Sequence, residues 1–225
     1  MSSSPDSLSA RRPLTSRSSR WAGGLSRGLL KLGVKPNQVS VMSVVFAAGA
    51  AACLIWGVPS GWAWLGAAVC VQMRLVCNLM DGMLAVEGGL KSPSGDLYNE
   101  FPDRLADTFI LAGLGAAGGT ALAGGLGWVA ACGALITACV RMHGASLTGA
   151  HDFRGPMAKP HRMALVTGVC VLMAVSAGLG GVLSGVLNVV EWALVLMVTG
   201  IVVTLWRRLN GLSRALHERA KGVVK

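Results

Sequence analysis

Most of the polar residues that interrupt the apolar segments of this chain fall in one stretch, Arg74 to Asp107, which reads RLVCNLMDGMLAVEGGLKSPSGDLYNEFPDRLAD. On a helix, Arg74, Asn78, Asp81, Gly82 and Ala85 follow the i, i+4, i+7, i+8, i+11 series and share one face. Asn99, Asp103 and Asp107 are likewise separated by single turns on the next helix. Oxygen-bearing side chains gathered in this way suit a hard cation. Asp81 and Asp103 have no obvious basic partner each, and buried acids are costly unless a cation or water fills the gap. Gly82 and Gly95 leave the wall open where a side chain would project, which suits close approach by a ligand. The structural alternative is that these groups only bond one helix to another.

The elements that position these residues are membrane helices. Of 225 residues, 53% are apolar and only 13% charged, and a soluble domain of that length needs far more surface charge. The 31 glycines suit close-packed spanning helices. The net charge of +10 is placed mostly in the N-terminal head, two interhelical loops and the tail, which argues for anionic headgroups and against nucleic acid as the partner. Segments 57–61, 117–126 and 178–190 contain no Lys or Arg. If those are the outside loops, the positive-inside rule places both termini in the cytoplasm, as in a multi-pass protein of the cell inner (cytoplasmic) membrane. The six cysteines lie in apolar runs without ligand-like spacing and read as small buried hydrophobes.

The fold expected is all-α. Residues 1–19 form a disordered basic head, with a transit peptide as the competing reading, and 20–36 an interfacial amphipathic helix and a break. Six spans follow within 37–207, at 38–56, 62–86, 97–117, 125–146, 161–179 and 187–207, and 208–225 is a basic cytoplasmic tail. Trp56, Trp62, Trp64, Trp128, Trp192 and Trp206 sit near span ends, where interfacial belts form.

From Asn78 to Asp103 the sequence reads N-x2-D-G-x2-A-V-x8-G-x3-N-x3-D. It resembles the CDP-alcohol phosphatidyltransferases, which carry D-x2-D-G-x2-A-R-x8-G-x3-D-x3-D at the same spacing on their second and third spans. The resemblance implies a polar cavity open to the cytoplasm that binds a CDP-alcohol, usually CDP-diacylglycerol, with divalent ions (Mg²⁺ or Mn²⁺) on the diphosphate. Carried over, Asn78, Asp81, Asn99 and Asp103 are the metal positions and Asp103 the base, while Gly82, Ala85 and Gly95 shape the cytidine pocket. Such ions neutralise charge on a transferring phosphoryl group while a carboxylate positions the nucleophile. The resemblance also suggests an acceptor-phosphate site near the loop before the fifth span, where Arg154, Lys159 and Arg162 lie with Arg141. A homodimer is expected by analogy.

Three positions depart from the pattern: Asn78 and Asn99 replace aspartates, and Val86 replaces arginine. Asparagine still offers a carbonyl oxygen, but two formal charges are lost, so metal affinity falls or one ion binds in place of two. Glu87, Glu100 and Asp107 are the nearby acids available to restore charge. Arg74 lies about 18 Å along the helix from Val86, too far for direct replacement. It reads as a counterion to the acidic site or a contact to lipid phosphate, with a bond to neighbouring carbonyls as the structural alternative.

The function expected is transfer of a substituted phosphate from a CDP-alcohol to an acceptor alcohol with release of CMP, in phospholipid biosynthesis. The alternative is a weakened or inactive relative that binds lipid or nucleotide. A transporter ranks last, because the outward halves of the spans offer no ionisable residue beyond Glu191.

Overall fold

The computed structural model describes residues 19–57, 60–90, 92–181 and 188–223. Residues 1–18 of the expected disordered head lie outside the described residues. The described chain is all-helical: α1 Arg20–Lys31, α2 Pro36–Trp56, α3 Gly61–Val86, α4 Gly95–Ala117, α5 Ala121–Thr148, α6 Lys159–Gly178 and α7 Val189–Val223. Local chemistry sets several ends. Pro36 opens α2, and the Gln38 side chain accepts from the Lys35 amide at 2.9 Å. Thr120 caps α5 by accepting from the Ala123 amide, and Gly149 ends it at φ 71°, a left-handed conformation that suits glycine.

Five of these helices, α2, α3, α5, α6 and α7, are long and apolar enough to cross a bilayer, so the protein is a multi-pass membrane protein. The expected span at 97–117 forms as α4 but falls short of that composition. Residues 95–107 carry Asp96, Glu100, Asp103, Arg104 and Asp107, while Ile110, Leu111 and Leu114 beyond them are fully buried in the bundle. The expected tail is also different. Residues 208–223 continue α7 without a break, giving a helix of 35 residues, about 52 Å at 1.5 Å per residue.

Helix α2 packs against both α3 and α4, α4 against α5, α5 against α7, and α3 against α6; α3 and α4 touch one another far less. The two site helices are therefore joined through α2 rather than directly, and this leaves room between their polar faces. Small residues permit the tight contacts elsewhere. A Cβ on Gly127 of α5 would lie 2.7 Å from Gly115 Cα on α4, and one on Gly113 would lie 2.9 Å from Ala51 Cα on α2.

Helix α1 lies on α3 through Ala22, Leu29 and Leu30, near Leu79 and Met83, while Trp21, Leu25, Arg27 and Lys31 stay exposed. That is the arrangement an interfacial helix requires. Trp56, Trp62, Trp128, Trp192 and Trp206 are exposed, as a belt demands, but Trp64 is 2% exposed and fills the core instead. It sits inward because it falls on the α3 face that also buries Ala67, Ala68 and Val71. All six cysteines are free; Cys77 and Cys170 are buried, whereas Cys132 and Cys139 are exposed, contrary to the expectation for the set.

Candidate functional site

Two adjoining cavities, of about 520 and 550 Å³, open between α3 and α4. Both are lined by Asp81, Gly82, Asn99, Glu100 and Arg141, so these residues form the wall the cavities share. The smaller cavity also takes in Ala85 and Gly95, which brings the three small residues expected at a nucleotide pocket onto one surface. The larger is lined by Trp21, Leu75 and Leu79, by Lys159, Arg162 and Arg208, and by Asn78 and Asp103. Every expected metal position thus lines at least one cavity.

On the α3 side, Asp81 is 6% exposed, and its Oδ2 accepts from Ser40 Oγ of α2 at 2.9 Å. It forms no ion pair among the described residues. On the α4 side, Asp103 is fully engaged. Its Oδ1 accepts from Asn78 Nδ2 at 2.8 Å and lies 3.4 Å from Arg74 Nη2, and its Oδ2 accepts from Lys159 Nζ. The expectation that Asp103 lacks a basic partner is therefore corrected. Lys159, at the start of α6 and 56 residues further on, is brought to it by the packing of α6 on α3.

One turn beyond Asp103, Asp107 is held by two guanidinium groups, Arg74 Nη2 at 2.6 Å and Arg162 Nη2 at 2.8 Å. All three side chains are nearly sealed from solvent. Arg74 is thus the counterion expected for the acidic site, directed to Asp107 first and Asp103 second. Arg162 also donates to the Met157 carbonyl at 3.0 Å, so its guanidinium is built into the framework rather than free for an acceptor.

The shared wall is set by Glu100, whose two oxygens accept from Arg141 Nη2 at 2.7 and 2.8 Å, and whose Oε2 also accepts from Arg104 one turn on. Arg141 in turn lies over the Phe153 ring, 5.6 Å from its centroid, and 3.4 Å from His151 Nδ1. Burial, and then the Arg141 guanidinium, hold the His151 imidazole below its ordinary pKa, with Glu100 and Asp96 pulling the other way.

Two further expectations are corrected. Glu100 and Asp107 cannot restore charge to a metal site, since each already serves two arginines, and Glu87 caps the end of α3 and lines neither cavity. Arg154 stays outside both cavities. Its side chain is 76% exposed and pairs with Asp152, because the 149–158 loop turns it toward α7 beside Gly211. Ser40, Arg104 and Arg208 were not singled out by sequence. Only the four-residue spacing of Glu100 and Arg104 carried a signal.

The donor set bears directly on the metal expected here. Asp81 and the amide oxygens of Asn78 and Asn99, which line the same cavity, are donors of the kind that suits one hard cation. A second is not accommodated by the same chemistry, because Asp103 is neutralised by Lys159 and Arg74. Among the described residues, no cluster of three or more His, Cys, Asp or Glu converges as a metal site.

No protein-family model matches the chain. A bifunctional IPC transferase and DIPP synthase of Rubrobacter xylanophilus is 36% identical over 113 residues, which is 50% of this chain and 25% of that protein. The chain therefore spans about a quarter of the length of the curated relative it matches. The fold is similar to that of Mycobacterium tuberculosis phosphatidylinositol phosphate synthase (PgsA1). The structure of that protein with CDP-DAG bound has a TM-score of 0.66 at 18% identity, over 86% of this chain and 94% of that one. Its complex with manganese and citrate has a TM-score of 0.65 at 18% identity, over 85% and 88%. The half-chain match supports the resemblance to the CDP-alcohol phosphatidyltransferases, and the solved structures bear out the fold it implies.

Proposed function

We propose that this protein is a membrane phosphotransferase that moves a substituted phosphate from a CDP-alcohol, with CDP-diacylglycerol as the leading donor, to an acceptor alcohol. The observation that carries this reading is the placing of Asp81 and Asp103, from two different helices, around a double cavity that also presents Lys159 and Arg141. Solved relatives of the same fold, named for CDP-DAG and for manganese, add support.

In this reading the nucleotide end of the donor lies in the smaller cavity, where Gly82, Ala85 and Gly95 leave the wall flat. The diphosphate lies at the shared wall, within reach of Arg141 and Lys159. The acyl chains leave past Trp21, Leu75 and Leu79 toward the bilayer, and the acceptor enters the larger cavity. A divalent cation on Asp81, Mg²⁺ or Mn²⁺, would draw charge from the diphosphate oxygens. Asp103 orients the acceptor hydroxyl and takes its proton once Lys159 has turned to the phosphate. The acceptor oxygen then bonds to the phosphorus that carries the alcohol group, the bridging P–O bond breaks, and CMP leaves with that electron pair.

The basic residues at the cleft end, Arg104, Arg141 and Lys159 among them, support a cytoplasmic opening with both termini on that side of the inner membrane. A homodimer is part of the same proposal by analogy. The test is CMP release by purified protein in liposomes with CDP-diacylglycerol, a panel of acceptor alcohols and Mg²⁺ or Mn²⁺, with a CDP-alcohol lacking acyl chains as a second donor. No CMP from either donor with any acceptor would overturn the reading. Asp103→Asn should abolish turnover while leaving the protein folded, because it keeps size and removes the base.

A second reading is a binding protein without turnover. It is favoured by the engagement of both Asp103 oxygens and by Asn78 and Asn99. It predicts that Asn78→Asp with Asn99→Asp creates an activity the natural chain lacks.

A further inference from the structure

Building on the phosphotransfer reading of this cleft, we infer that the chain holds a single divalent cation, on Asp81, and that the Lys159 ammonium with the Arg74 guanidinium occupies the charge position of a second. Three independent observations converge on this.

The first is the unequal fate of the two aspartates. Asp103 has one oxygen on Lys159 and the other on Asn78 and Arg74, so a metal could reach it only by displacing a cation already there. Asp81 accepts from the Ser40 hydroxyl and from the Gly82 backbone but forms no ion pair among the described residues, is 6% exposed, and lines both cavities. A buried carboxylate without a cation is costly, and a dication beside it removes the cost.

The second is the charge lining the cleft. The carboxylates that line the two cavities are Asp81, Asp96, Glu100, Asp103 and Asp107, and five Lys or Arg side chains line them as well. Arg74 lies directly behind. A wall that is already balanced by its own cations supports one added dication opposite a substrate diphosphate and gains nothing from two.

The third is the sign of what is left over. Among the described residues, the buried side-chain atoms with no hydrogen-bond partner are Arg74 Nε, Arg74 Nη1 and Arg162 Nε. All are donors on cations, so the interior behind the site has positive groups in excess and acceptors in short supply. A cleft built to take a second dication would have the reverse.

The exchange also has a chemical consequence. A lysine is a fixed part of the chain, so the charge it supplies is present whatever the free metal concentration, whereas the Asp81 ion is lost to a chelator.

The test is the number of Mn²⁺ ions bound per chain, read by electron paramagnetic resonance on purified protein in detergent with neither nucleotide nor acceptor present. The natural chain should bind one ion. Asp81→Asn should weaken it at least ~10-fold, Asp103→Asn should leave it within about twofold, and Asn78→Asp with Lys159→Met should admit a second. Two ions in the natural chain, none, or loss of the ion in Asp103→Asn with retention in Asp81→Asn, would each overturn the inference. The count in the natural chain stands whether or not any variant folds. One ion with no CMP release would sink the phosphotransfer reading and leave the ion count intact, and CMP release with two ions would do the opposite.

Discussion

Asp103 and Asp107 are one turn apart on α4 and look alike in the sequence, yet their surroundings differ, and Asp107→Asn separates a framework role from the chemistry proposed for Asp103. Asp107 sits between Arg74 at 2.6 Å and Arg162 at 2.8 Å, with side-chain exposures of 6%, 0% and 4% for the three groups. Neutralising it leaves two buried guanidinium groups facing each other across an amide that satisfies one of them at best. Breaking a buried pair from one side costs ~3–5 kcal/mol. In a chain of this size that lowers the unfolding midpoint by about 6–20 °C, using ~2–4 °C per kcal/mol. A chain that unfolds within lipid or detergent finds substitute partners, so the lower end is expected. Asp103→Asn is a milder change: Asp103 is 14% exposed, Lys159 is 29% exposed and free to turn to water, and the Asn78 amide keeps an acceptor. About 1 kcal/mol is expected there. The assay heats both variants in detergent, follows the monodisperse fraction by size-exclusion chromatography, and measures CMP release on the unheated samples. Asp107→Asn should lose stability first and activity with it; Asp103→Asn should lose activity with its midpoint nearly unmoved. Equal midpoints, or the reverse order, would refute the assignment of Asp107 to the framework and Asp103 to the chemistry.

Three other substitutions probe separate features. Gly127→Ala places a Cβ 2.7 Å from Gly115 Cα and should cost ~1–3 kcal/mol as α4 and α5 are forced apart, seen as a lowered midpoint that Gly124→Ala, in open space, does not reproduce. Ser40→Ala removes the 2.9 Å bond to Asp81; the bond to a charged oxygen is worth ~1.5–3 kcal/mol, and the loss should appear as weaker Mn²⁺ binding in a titration rather than as misfolding. His151 is held below the ordinary imidazole pKa by burial and then by Arg141, so the unfolded chain takes up a proton more readily than the folded one. Stability should be level above about pH 6.5, fall as the pH drops from there toward the lower folded value, and level off again; His151→Gln should remove that slope in melting curves across pH 5–8.

How far the sequence carried this protein depended on the range of the interaction in question. Helix ends rest on local chemistry, and Pro36, Thr120 and Gly149 mark theirs from within a few residues. The shared face of Asn78, Asp81, Gly82 and Ala85 is a matter of helical period alone, and all four line the cleft. The partners of the acids could not be read in the same way. Lys159 is 56 residues from Asp103, Arg74 is 33 from Asp107, and Arg141 is 41 from Glu100, and nothing in a periodic pattern links such pairs. The same limit explains Trp64, whose position near a span end suggested the interface while its side of α3 put it in the core. It explains α4 as well, where a polar first half hides an apolar second half from any measure averaged along the helix.

The charge layout joins these observations. At the same spacing as the four-aspartate pattern it resembles, the chain has Asn78 and Asn99 at two of the positions and pairs a third, Asp103, with Lys159 and Arg74. Removing acids alone would have left Arg74 and Lys159 as uncompensated charges in a bilayer, and adding cations alone would have left Asp103 with nothing for an incoming metal to do. Under the single-ion proposal these features fit together, because the protein supplies as side chains part of the positive charge that a second ion would supply. Asp81 is then the buried cleft carboxylate left without an ion pair among the described residues, and under the proposed function a diphosphate would place its negative charge between a cation on Asp81 and Lys159.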